Sequence, residues 1–338
     1  MRMPTTELAE RSVMAGDGAT MVDVSGLNVG FKNAKGLVRA VNGVDLQLKR
    51  GEVLALLGES GSGKSVTLRA LIRLNPEHKS IVSGRIVVAG TDVTTLAPEA
   101  MQDFRGGVAS MIFQDPGLAL DPVYRVGDQI AETVMRHKKV SRQEARKRAL
   151  ELFERVRIPS PERRLDAYPH ELSGGMRQRA MIALSLSCDP QVLLADEPTT
   201  ALDATVQIQI LLLLRELQRD LGLTVIFVTH DIGVAVEVAD RIAVMYAGRI
   251  VETGPVAEVI RGARHPYTLG LLATRAHGGR LQGRRLRTIP GNPPDLASLP
   301  PGCPFAPRCS SVEARCREIE PPLVELGPAH RMRCVLGT

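Results

Sequence analysis

The chain has 338 residues, 44% of them hydrophobic but only 3% aromatic and none of them Trp, so one large domain with an appendage, or two modest domains, can form around an aliphatic core. Lys and Arg total 43 against 37 acidic side chains, a net charge of +6, with much of the excess in Arg146-Lys147-Arg148 and in the stretch from Arg275 to Arg287. That mild surplus reads as solvated helix face and linker; a nucleic-acid footprint would need the charge gathered on one face. No apolar run reaches the ~18 residues that a membrane span needs. Glu7, Glu10 and Asp17 interrupt the first residues and no apolar segment follows them, so no signal peptide is expected. The expectation is a cytoplasmic protein without structural disulfides, whose work at any membrane is done through partners.

Residues 1 to about 20 are small and polar, and a flexible tail is expected there. From Val22 to Leu48 the apolar residues recur as in strands. Val53-Leu54-Ala55-Leu56-Leu57 is a buried-strand run leading directly into Gly58-Glu59-Ser60-Gly61-Ser62-Gly63-Lys64-Ser65. This octet fits G-x-x-x-x-G-K-[ST] at every specified position, with the helix-forming Val66 to Ile72 behind it. Glycines in such a loop turn backbone N–H groups toward phosphate oxygens. Lys64 supplies a point charge, Ser65 a hydroxyl for Mg²⁺, and the helix its positive end. A nucleoside triphosphate is the expected ligand.

Gly84 to Val88 and Ala109 to Phe113 read as further strands. Residues 116 to 172 change character and predict a helical insertion. Ser141-Arg142-Gln143-Glu144 has the form of a capping box, and Ala149, Leu150, Phe153 and Val156 follow at helical spacing. From Gln191 strands and helices alternate again, which argues for a mostly parallel sheet covered on both faces. Val192-Leu193-Leu194-Ala195 delivers Asp196 and Glu197 at a strand end. Asp196 is placed to hold Mg²⁺ and Glu197 to orient or activate water.

Leu172-Ser173-Gly174-Gly175-Met176-Arg177-Gln178-Arg179 resembles the signature motif of the ATP-binding cassette (ABC) ATPases. Phe113-Gln114-Asp115 resembles the family's Q-loop, Thr200-Ala201-Leu202-Asp203 its D-loop and Thr229-His230-Asp231 its H-loop, all in the family's order over roughly residues 22 to 260. The resemblance implies that Gln114 reaches Mg²⁺ and water and that His230 contacts the γ-phosphate. It implies too that Ser173, Gly174 and Gly175, with Gln178 nearby, serve a nucleotide held by the opposite subunit, and that Asp203 belongs to the same shared site. Val66 continues the phosphate-loop segment. Phe31 either stacks on adenine or packs as a strand aromatic.

The implied fold is an α/β ABC ATPase core over residues 21–262: a mostly parallel sheet, an antiparallel β subdomain and a helical subdomain at about 116–172. A small Cys/Pro-rich domain over 263–338 follows. His265-Pro266-Tyr267-Thr268, Ile289-Pro290-Gly291-Asn292-Pro293-Pro294 and the cysteine-rich end resemble the peptide-importer branch. The phosphate loop and Met176-Arg177-Gln178-Arg179 resemble the first of its two ATPase subunits. Pro116 to Pro122 departs from that subunit, which more often has Ser and Asn there.

Implied partners are a second ATPase subunit (self or paralogue), two membrane permeases and an extracytoplasmic peptide-binding protein, on the cytoplasmic face of a bacterial membrane and without nucleic acid. Nickel or another small solute is the alternative cargo. A soluble ABC ATPase of DNA repair or translation is the alternative class.

Cys303, Cys309, Cys316 and Cys334 lack the paired C-x2-C spacing of zinc ribbons, yet four thiols in a Pro-rich segment suggest a tetrathiolate site. Some members of the resembled family carry a [4Fe–4S] cluster on this pattern. Zinc and free thiols are the alternatives. The site lies outside every ATPase motif, so a structural role remote from the nucleotide is expected. Cys188 reads as a small core residue.

Overall fold

The computed structural model describes residues 18–33, 36–200, 202–275, 289–327 and 329–337. The expected N-terminal tail and the basic stretch from Arg275 to Arg287 fall almost wholly outside them. Residues 1–87 with 228–338 make one compact unit, and residues 88–227 make the second.

In the first unit, Thr20–Asn33 and Gly36–Lys49 pair antiparallel, with Val29 opposite Val41 and Asn33 opposite Gly36. Val22, Val24, Leu27 and Val29 on one strand and Val44, Leu46 and Leu48 on the other are buried, alternating as in a sheet with one covered face except where a register irregularity between Val24 and Leu27 shifts the phase. The helix Lys64–Leu71 packs against this pair and buries Thr67, Leu68, Ala70 and Leu71. Each fully buried Leu contributes on the order of 1.5–3 kcal/mol relative to exposure.

The same unit holds the strand Val53–Leu57, buried at all five positions, parallel to Arg241–Tyr246 with Leu57 opposite Val244. Burial on both faces explains its unbroken aliphatic run. Arg241–Tyr246 pairs antiparallel with Arg249–Pro255, and the C-terminal hairpin extends that edge. His330–Arg333 pairs with Arg249–Pro255 through Glu252 opposite Met332, and Leu323–Gly327 pairs with His330–Arg333. The C-terminal residues therefore continue a sheet of the nucleotide-loop unit. Leu323–Gly327 is largely solvent-facing, and His330–Arg333, which buries His330 and Met332, is only four residues long, too short for its alternation to stand out in the sequence.

In the second unit, Ala109–Ile112 runs parallel to Val192–Asp196, with Ile112 opposite Ala195. Helices follow the first of these strands. Arg142–Arg155 starts with the expected capping box: Ser141 Oγ accepts from the Glu144 N–H at 3.3 Å, and the Ser141 N–H donates to Glu144 Oε2 at 2.9 Å. Ala145, Ala149, Leu152 and Phe153 form its buried stripe. Gly174–Ser185 and Ala204–Leu221 are the other principal helices around the two strands, with Val126–Lys138. Among the described residues no helix is long and apolar enough to cross a membrane.

Candidate nucleotide-binding site

The phosphate-loop octet joins the strand Val53–Leu57 to the helix Lys64–Leu71, the context its pattern requires. Gly63 is the helix N-cap at φ 105°, and no side chain caps that end. A helix start of this kind is where backbone N–H groups meet an anion. A Cβ on Gly58 would stand 2.3 Å from the Met245 carbonyl oxygen, and one on Gly63 would stand 2.3 Å from that of Ala40. Only glycine fits either position. Lys64 is 4% exposed, and its Nζ donates to the carbonyls of Gly58 at 2.8 Å and Glu59 at 2.9 Å. Ser65 and Val66 are half-buried in the helix's first turn, and Asn75 Nδ2 donates to the Val66 carbonyl at 3.2 Å. Ser60 and Gly61 are exposed at the tip of the loop, and Ser62 is buried.

The loop is also held from outside. The Gly248 N–H donates to the Ser62 carbonyl at 2.9 Å, and the Glu59 N–H donates to Tyr267 Oη at 2.8 Å. Arg308 donates to both carboxylate oxygens of Glu59, Nη1 to Oε2 at 2.6 Å and Nη2 to Oε1 at 3.0 Å. Sequence reasoning missed these contacts because their partners lie 208 and 249 residues away from Glu59, where no local pattern reaches. His230, exposed after the strand Thr224–Thr229, and Phe31, half-buried on Thr20–Asn33, belong to this unit as well.

The second unit carries the remaining expected residues. Gln114 is exposed just after Ala109–Ile112. Asp196 ends its strand at 1% exposure. Glu197 follows at φ 46°, in the left-handed region that residues other than glycine rarely enter, and the Thr200 hydroxyl donates to its Oε2 at 2.8 Å. Ser173 caps the helix Gly174–Ser185, its Oγ accepting from the Met176 N–H at 3.3 Å. A Cβ on Gly175 would press on Val206 at 3.0 Å, which accounts for glycine there. Gln178 is 2% exposed and its Nε2 finds no hydrogen-bond partner, so its amide is committed to the interior. Asp203 caps Ala204–Leu221, accepting from the N–H groups of Thr205 and Val206. Ser65 in the first unit, and Gln114 and Asp196 in the second, each carry an oxygen donor of a type that suits Mg²⁺.

Cys303, Cys309, Cys316 and Cys334 line one cavity of about 10 Å³, together with Phe305, Ala306 and Val335. Burial raises the Cys303, Cys309 and Cys334 thiols above their ordinary value, which favours the neutral form. Among the described residues no three His, Cys, Asp or Glu side chains are arranged to hold a metal ion. The donors are right in kind and number for a tetrathiolate centre, but the gap has room for about one water-sized sphere. The expected remoteness from the nucleotide loop is corrected. Arg308, bonded to Glu59, stands on the turn Ala306–Arg308 directly between Cys303 and Cys309. Cys188 is buried beside Ser187, as a core residue would be.

Residues 41–200 match the profile described as ABC transporter, and residues 251–316 match the one described as the C-terminal region of oligopeptide/dipeptide transporters. A peptide import ATP-binding protein of Brucella melitensis is 48% identical over 93% of this chain and 96% of its own length. The Bacillus subtilis oligopeptide transport ATP-binding protein OppD is 48% identical over 93% of this chain and 88% of that protein, and the dipeptide transport ATP-binding protein DppD of the same organism is 46% identical over 94% of each. A solved dimeric ATP-binding cassette in a post-hydrolysis state with ADP and phosphate is 30% identical and superposes with a TM-score of 0.63, covering 70% of this chain and 99% of that one. The cassette cbiO1 of Clostridium perfringens, part of the ABC transporter complex cbiONQ, gives a TM-score of 0.62 at 31% identity over 77% of this chain and 98% of its own. The chain belongs to the ABC transporter ATP-binding family, in its oligopeptide and dipeptide branch.

Proposed function

We propose that this chain is the ATP-hydrolysing subunit that drives import of di- and oligopeptides through a membrane permease. The observation that carries this reading is the joining of two features in one unit: a phosphate loop of ABC type, and a C-terminal region matching that of oligopeptide/dipeptide transporters. The relatives' names supply the cargo class. A second ATPase subunit, two permeases and an extracytoplasmic binding protein complete the proposed machine, at the cytoplasmic face of the membrane.

In the mechanism, the phosphate loop and Lys64 hold the nucleotide's phosphates by backbone N–H groups and point charge. Mg²⁺, when bound, supplies positive charge to the phosphate oxygens, and Ser65, Gln114 and Asp196 are the residues proposed to hold it. Glu197 accepts a proton from the attacking water, and the left-handed backbone that presents its carboxylate is held by the Thr200 hydroxyl. His230 contacts the γ-phosphate. Ser173, Gly174 and Gly175 serve the nucleotide of the opposing subunit, whose release reopens the pair, while Asp203 anchors the helix Ala204–Leu221 behind the shared site. At the thiol pocket a [4Fe–4S] cluster is proposed; the number and softness of the four donors support it.

Reconstitution with cognate permeases and binding protein in proteoliposomes tests the function. ATP-dependent uptake of labelled di- or oligopeptide is expected. Uptake of Ni²⁺ in place of peptide would move the cargo, and failure to take up either would overturn the importer reading.

A further inference from the structure

Glu59, the second residue of the phosphate loop, has both its backbone and its side chain bound by the C-terminal region. Its N–H donates to Tyr267 Oη at 2.8 Å, and its carboxylate takes the two-pronged contact from Arg308 at 2.6 and 3.0 Å. Neither partner is a loose surface residue. Tyr267 is 0% and Arg308 8% exposed. Tyr246, Tyr267 and Phe305 pack mutually with ring centroids 4.6, 5.1 and 5.4 Å apart, in a chain with only 4 Tyr and 6 Phe. The Arg308 guanidinium lies 5.8 Å from the Tyr246 ring centre and 6.0 Å from that of Phe305. Its Nε also donates to the Pro290 carbonyl at 2.8 Å, so the arginine is fixed at several points before it meets Glu59. Burial holds the Tyr267 phenol well above its usual range, and the bonds to Glu59 raise the Arg308 guanidinium further, so one stays neutral and the other charged.

We propose that Arg308, with Tyr267 beside it, is a positioning residue for the phosphate loop, holding Glu59 so that the loop is already shaped for triphosphate before the nucleotide arrives. This deepens the ATPase reading and rests on it. A preorganised loop binds more tightly because the cost of ordering it has been met in the free protein. A bidentate guanidinium–carboxylate pair, its arginine flanked by the Tyr246 and Phe305 rings, is the kind of contact that can set such a shape. A lysine offers a point charge and no fork, so it replaces arginine only in part. The effect lies on nucleotide binding. The chemical step, assigned above to other residues, keeps its rate once the site is filled.

The experiment uses the full-length chain and ATP itself. Calorimetric affinity, steady-state KM and kcat, and melting temperature are measured for wild type, Arg308→Met, Arg308→Lys, Glu59→Gln and the double variant Arg308→Met/Glu59→Gln. Arg308→Met and Glu59→Gln are each expected to weaken ATP binding about five- to thirty-fold, with KM rising in parallel and, for Arg308→Met, kcat at saturating ATP held within about twofold. The double variant is expected to be no worse than either single change, because both remove one contact. Arg308→Lys should fall between wild type and Arg308→Met. Affinity within about twofold of wild type in both single variants would overturn the proposal, as would losses that multiply in the double variant or that fall on kcat alone. If Arg308→Met does not fold, Glu59→Gln, on a part-exposed loop side chain, carries the same decision. Failure of wild type to bind ATP would instead strike the ATPase reading.

Discussion

The Thr200 hydroxyl donates to Glu197 Oε2 at 2.8 Å while Glu197 itself holds a left-handed backbone at φ 46°. The hydrogen bond fixes the direction of a carboxylate whose main chain is already in a sparsely allowed region, a combination seen where a side chain must point precisely. Glu197→Gln keeps the size and the Thr200 contact but removes the base. ATP hydrolysis in the assembled transporter is expected to fall about 10²–10⁴-fold while ATP still binds. Steady-state phosphate release together with equilibrium nucleotide binding checks this. Near-normal turnover would remove Glu197 from the catalytic role.

Ser173 and Lys64 belong to different nucleotides under the proposed arrangement. Ser173→Arg fills the helix start Gly174–Ser185 with bulk and charge, and is expected to stop hydrolysis by paired subunits while the isolated chain binds ATP as before. Lys64→Ala removes the cation bonded to the Gly58 and Glu59 carbonyls and is expected to weaken ATP binding in the isolated chain itself. Equal loss of affinity in both isolated variants would sink the shared-site arrangement.

The thiol pocket makes a colour prediction. Protein purified without oxygen is expected to be brown, with broad absorption near ~400 nm and about four irons per chain. Cys309→Ser should bleach it. Because burial raises three of the thiols, binding must release protons, so occupancy is expected to fall as pH is lowered. Iron and zinc analysis with thiol alkylation decides the matter. Stoichiometric zinc would select the tetrahedral reading, and four freely alkylated thiols in the folded protein would eliminate any metal.

His265 titrates against the fold. Burial pulls its imidazole from 6.5 down to about 4, and its Nδ1 accepts from the Tyr267 N–H at 3.1 Å. Glu252, which accepts from the His265 N–H at 3.2 Å and contacts His330 at 2.9 Å, and the Phe305 ring surround it. Between those two values the unfolded chain binds a proton that the folded imidazole refuses. Its contribution is therefore complete above pH 6.5 and is lost as pH falls toward 4, by about 3 kcal/mol in full. Melting temperatures measured from pH 7 to about 4.5 should drop less steeply for His265→Gln than for wild type. Identical slopes would contradict the assignment.

The local chemistry of this protein was legible in its residues. The glycines of the phosphate loop, the acids ending Val192–Asp196, the serine that starts the signature helix and the capping box at Ser141 are each set by neighbours within a few positions, where spacing and backbone preference suffice. The cassette fold followed from the order of those motifs. Tertiary structure alone decided which side chains of the C-terminal region meet and what they touch. Cys303, Cys309, Cys316 and Cys334 are spread along the chain and meet only because turns and a hairpin fold them around one cavity. Arg308 and Tyr267 have no motif of their own, yet they close on Glu59 across more than two hundred residues. Contacts of that span depend on how strands stack and rings pack, and no periodicity in the chain encodes them.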